Sequence, residues 1–125
     1  MALFSFNKKE RLKNKRQIES LFSEGERFFE YPFNVIWQLD PNSNSSLKMA
    51  VSVPKKKLPK ATDRNKIKRL VRESFRKNKS IVLQPLEAKT IKLNLMLVYS
   101  QSNIMSMTEI EDKISVTLQR LAEQI

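Results

Sequence analysis

The sequence contains no cysteine and no histidine. Without cysteine, disulfides and thiolate metal sites are excluded, and a reducing compartment is the simple expectation. Without histidine, the commonest general base and a ready metal ligand are both missing. One glycine and five prolines among 125 residues leave no Gly-rich loop to cradle a nucleotide and argue against long flexible linkers. No stretch approaches the roughly 20 apolar residues that span a bilayer, and the opening MALFSFNKKERLK has too short an apolar run for a signal peptide. These absences point to a cytoplasmic protein with no membrane partner, no small-molecule substrate and no catalytic residue of its own. What remains is ordinary globular material, 40% apolar and 30% charged. It suffices for one domain over residues 1–125 and is too short for two.

Acidic residues are also scarce, and unevenly so. There are 24 Lys and Arg against 13 Asp and Glu, a net charge of +11. Residues 55–79 hold twelve basic side chains against only Asp63 and Glu73, and residues 8–16 hold six against Glu10. The rest of the chain is net negative. A positive charge focused on two short segments is the footprint of a polyanion site.

Hydrophobic periodicity organises the chain. NKRQIESLFSEG reads as a short helix, with Asn14 as N-cap, Gly25 as a left-handed C-terminal cap, and Ile18, Leu21 and Phe22 as its apolar face. FNVIWQL (33–39) and LKMAVSV (47–53) alternate with the period of strands, and the polar loop between them predicts an antiparallel hairpin. A helix capped by Thr62 or Asp63 follows, with Ile67, Leu70, Val71 and Phe75 as its buried stripe. TIKLNLMLVY alternates again, and Thr108 with Glu111 forms a capping-box pattern ahead of a last helix. The order α-β-β-α-β-α describes an α+β domain, a two-layer sandwich of helices packed on a small mixed sheet.

The helix beginning near Arg64 carries the chemistry. Arg64, Lys68, Arg72 and Arg76 are each four apart, with Asn65, Lys66 and Arg69 beside them and the apolar stripe opposite. Aligned cations at about 6 Å intervals repel one another unless a polyanion neutralises them. A phosphate backbone suits that spacing, and arginine adds forked bidentate contacts. A solvated charged face is the bland alternative, but solvated helices normally interleave acids, and this one has Glu73 alone. A lipid surface is a poorer match, because the apolar face is needed by the core. A ribosomal or general RNA-binding protein is the alternative of a different class.

RNKIKRLVRESFR at 64–76 resembles the Arg-Asn-Arg signature of the bacterial ribonuclease P protein subunit. RLKNKRQIESLFSEG resembles that family's opening helix, and VSVPKKK resembles the strand end preceding its signature. The resemblance implies a compact sandwich with a left-handed βαβ crossover. It also implies work with a catalytic RNA to remove the 5′ leader of precursor tRNA, the RNA hydrolysing with Mg2+ that it binds itself. By position, Arg64, Asn65, Lys66, Lys68, Arg69, Arg72 and Arg76 would contact ribonuclease P RNA. Arg11, Lys13, Phe22, Phe33, Lys55 and Lys56 would contact the leader or tRNA, with a cleft between the first helix and the sheet as the leader's place. Phe22 and Phe33 also read as core residues, and residue type does not separate the two roles. Lys66, Ile18 and Ile36 depart from the family pattern. Lys66 keeps charge without the arginine fork, and two isoleucines where aromatics are common thin the stacking platform.

Overall fold

The computed structural model describes residues 8–125; the opening MALFSFN, part of the N-terminus read above, lies outside the described residues. A 3-10 turn (Lys8–Glu10) leads to α1 (Lys15–Glu24), β1 (Glu26–Glu30), β2 (Phe33–Leu39) and β3 (Leu47–Ser52). Then follow α2 (Ala61–Asn78), α3 (Ser80–Lys89), β4 (Leu93–Tyr99) and α4 (Met107–Gln124). The class is α+β, with one strand and one helix more than the sequence suggested.

The sheet order is β1-β2-β4-β3. β1 and β2 are antiparallel, β2 and β4 are antiparallel, and β3 and β4 are parallel. The expected β2–β3 hairpin is therefore absent, because β4 lies between them. The reason is burial on both sides of β4: Leu93 through Leu97 are all buried, including Asn94 and Met96 on the second face. A strand buried on both faces belongs in the middle of a sheet. The hairpin present is β1–β2, joined through Tyr31 and Pro32 by a cis peptide bond.

Strand alternation sends Phe33, Val35, Leu47, Met49, Leu95, Leu97 and Tyr99 to one face, where they form the main core with α2, α3 and α4. α4 packs against both α2 and α3 and reaches β1. There the Arg120 guanidinium lies 4.5 Å from the Phe28 ring and donates to the Phe29 carbonyl at 2.8 Å. Among the described residues, the helix on the other face is α1, over a smaller cluster of Leu12, Leu21, Ile36 and Met96. Asn14 caps α1 by accepting from Gln17 N–H at 3.1 Å. The Asp40 carboxylate accepts from the side chains of Gln17 and Asn94 at 2.9 and 3.1 Å, fastening the start of the helix to the sheet.

Three cap expectations change. Gly25 has φ −69° and ψ 155°, not a left-handed conformation. Its requirement is space: a Cβ there would lie 2.4 Å from the Leu21 carbonyl oxygen and 2.9 Å from Ile36. The N-cap of α2 is Lys60, without a side-chain cap, so Thr62 and Asp63 fall inside the first turn. The capping box of α4 is Ser106 with Glu109, two residues earlier than Thr108 and Glu111, and so Glu109 is occupied as a cap partner.

Candidate nucleic-acid interface

α2 separates its two roles by helical geometry. Ile67, Val71, Ser74 and Phe75 are buried, with Leu70 half-buried beside them. On the outer side, Asn65, Lys66 and Arg69 are exposed, while Lys68, Arg72 and Arg76 are half-buried. Thr62, Asn65, Lys66 and Arg69 line one shallow hollow, and Arg69 also enters a second hollow with Arg72, Glu73, Arg76 and Arg11. The surface is thus two adjoining hollows hinged on Arg69, rather than the single four-residue row that spacing suggested.

Two members of that row are already engaged. Arg64 donates to the Leu58 and Pro59 carbonyls at 3.0 and 2.7 Å, fastening the loop that enters the helix. Arg76 pairs with Glu73 at 2.5 Å. That hydrogen bond holds the Glu73 carboxyl below its ordinary range and raises the Arg76 guanidinium above its own. The pKa of Arg72 is lowered, chiefly by burial and further by the charge of Arg11.

On the opposite face of the sheet, α1 ends before it covers the strands completely. A hollow of about 400 Å³ remains, lined by Phe22 of α1, Arg27 and Phe29 of β1, Asn34 and Ile36 of β2, and Val98 of β4. Phe22 and Phe29 are 42% and 51% exposed, unusual for side chains of that size. The Arg27 guanidinium lies 6.0 Å from the centre of the Phe22 ring and donates to the Phe22 carbonyl. The arrangement is an aromatic shelf with one cation, which suits stacked bases and a backbone charge.

The residues assigned to leader or tRNA by sequence do not all meet there. Phe22 does. Phe33 is fully buried on the other face, its ring centre 6.2 Å from that of Tyr99, so it is a core residue and offers no stacking surface. The strand period is as expected, but alternation sends Phe33 to the face opposite the one on which the cleft opens. Arg11 sits in the α2 hollow instead. Lys13 is exposed just before the α1 cap. Lys55 and Lys56 are exposed immediately beyond β3, whose last residue, Ser52, is paired with the groove residue Val98. Phe29 and Arg27 were missed because ERFFE, charged at both ends and only five residues long, gives a weak strand signal. The cluster of Phe28, Phe29 and Tyr31 was the available hint.

Comparison with known proteins bears on what this geometry serves. The family model described as Ribonuclease P matches residues 6–122. The "Ribonuclease P protein component" of Porphyromonas gingivalis is 31% identical over 125 residues, covering 99% of this chain and 91% of that protein. The protein of the same name from Thermotoga petrophila is 41% identical over 78 residues, 62% of this chain and 64% of that one. Among solved structures, the RNase P protein of Thermotoga maritima superposes with a TM-score of 0.69 at 25% identity, covering 89% of this chain and 96% of that one. The RNase P protein of Staphylococcus aureus, 22% identical, has a TM-score of 0.72, with 90% and 94% covered.

Proposed function

Because this chain belongs to the ribonuclease P protein family, the protein part of the endoribonuclease that trims tRNA 5′ ends, we propose that its two sheet faces divide the work. The outer face of α2 docks on ribonuclease P RNA through Asn65, Lys66, Arg69 and Arg72. The groove beside α1 holds the single-stranded leader of precursor tRNA, with bases on Phe22 and Phe29 and backbone near Arg27, Lys55 and Lys56. The observation that carries this reading is the pair of exposed phenylalanines on a face separate from the cationic helix.

In this reading the protein positions substrate and the RNA performs the hydrolysis with Mg2+. The described residues hold no group of three or more Asp, Glu, His or Cys placed to bind a metal ion; assigning Mg2+ to the RNA follows from the family likeness. No helix of the described residues is long and apolar enough to cross a membrane, and the reading places the protein in the cytoplasm.

The test is precursor-tRNA cleavage by a bacterial ribonuclease P RNA at low magnesium, with and without the protein. The protein is expected to permit cleavage where the RNA alone is slow. Replacing Phe22 and Phe29 together by alanine should lower the preference for leader-bearing over mature tRNA by about tenfold or more, with affinity for the RNA subunit unchanged. Arg69→Ala should do the reverse. An unaltered preference in the double variant would remove the groove from the leader's path.

A further inference from the structure

Residues 8–12 run along the β3 edge. Arg11 forms one parallel bridge with Met49, and Leu12 N–H donates to the Met49 carbonyl at 3.1 Å. In extended backbone, neighbouring side chains point to opposite faces of a sheet. Leu12 accordingly goes under α1 with Leu21, Ile36 and Met96. Arg11 goes to the α2 side, into the hollow with Arg69, Arg72, Glu73 and Arg76.

Among the described residues, four guanidinium groups and one carboxylate line that hollow of about 280 Å³, four positive charges against one negative. The single carboxylate is turned to Arg76. Burial and the charge of Arg11 both lower the Arg72 pKa, the second being like-charge repulsion. The segment is held there despite that repulsion by a second contact. Glu10 forms an ion pair with Lys79 at the α2–α3 junction, and their side chains are only 12% and 4% exposed. A buried charge deprived of its partner is strongly unfavourable, so this pair resists opening. Arg11, the next residue, is thereby set against α2.

We propose that Arg11 and Arg72 jointly hold one RNA backbone phosphate between the N-terminal segment and α2, and that Glu10–Lys79 is the positioning pair that keeps Arg11 in place. The inference rests on α2 being the RNA-docking helix. It moves Arg11 from the leader's contacts to those of the RNA subunit. A polymer phosphate fits better than a free anion, because Arg69 continues the site into the Asn65–Lys66 hollow, about 10 Å along the helix axis.

Binding to a bacterial ribonuclease P RNA, measured with the full chain as a double-mutant cycle, tests this. Arg11→Ala and Arg72→Ala should each weaken binding about tenfold. The pair together should lose about as much as either alone, and the slope of log K against log salt should fall by about one phosphate, not two. An additive, hundredfold loss overturns the shared phosphate while leaving α2 as the docking helix. No loss with Arg72→Ala or Arg69→Ala overturns the docking helix itself. For the positioning pair, Glu10→Gln should weaken binding severalfold, and combining it with Arg11→Ala should lose no more than the roughly tenfold of Arg11→Ala alone. The swapped pair Glu10→Lys with Lys79→Glu should recover binding, and it carries the test if Glu10→Gln does not fold. Parent-like binding by Glu10→Gln, or a folded swap without recovery, overturns the positioning role.

Discussion

The two faces of the sheet follow the same strand alternation and end in opposite states. Beneath α2, α3 and α4 the face is closed, and Phe33, Val35, Leu95, Leu97 and Tyr99 are wholly buried. On the other face α1 supplies ten residues of cover, enough for Ile36 and Met96 but not for Phe29 or Asn34, and its own Phe22 stays exposed. The difference shows that an aromatic side chain in this sheet is buried or exposed according to which strand face it occupies. Phe33 and Phe29 are four residues apart on neighbouring strands, but they lie on opposite faces, Phe33 on an interior strand and Phe29 on an edge strand.

The sharpest test of that contrast removes one ring from each face. Phe33→Ala should lower stability by about 3–5 kcal/mol, since it empties a filled core site. Phe29→Ala should change stability by less than about 1 kcal/mol and act on leader discrimination instead. Equilibrium urea unfolding beside a cleavage assay separates the two, and a large stability loss from Phe29→Ala would merge the faces into one core.

A smaller effect is expected where α1 ends. Gly25→Ala forces a methyl against the Leu21 carbonyl and Ile36, and should cost about 1–3 kcal/mol as overpacking. The shift of the α1 end should also disturb Phe22, so thermal melting and leader preference should change together. A variant that melts lower but keeps its leader preference would show that the groove does not depend on where α1 stops. Smallest of all, Arg27→Ala removes an exposed cation from over Phe22, a contact of about 0.5–1 kcal/mol. Its mark should be a weaker, less salt-sensitive grip on leader-bearing substrate with melting nearly unchanged.

Much of this was legible in the residues. Ile67, Val71 and Phe75 repeat at helical spacing, so both the core face of α2 and its cationic back could be placed without coordinates. Phe33, Val35 and Trp37 likewise announced a strand. The pairing of β2 was not legible, because neighbouring strands in sequence usually form hairpins and burial of the second face of β4 outweighed that tendency. Arg64 reads as one more cation in a row, and only the positions of the Leu58 and Pro59 carbonyls reveal its use as a loop fastener. Arg11 lies in a basic run whose sequence context says nothing of Met49 or Arg72.

By itself the sequence determined the chemistry available to this protein. It has a concentrated positive charge, no histidine or cysteine, and enough periodic apolar residues for one domain with a cationic helix on its outside. Those properties follow from residue type and local spacing, which chain folding does not alter. Tertiary structure decided which groups lie together: Phe22 with Phe29, Arg11 with Arg72, and Phe33 with the core. Each depends on strand order and on how far α1 reaches across the sheet, and both are set by burial over the whole domain.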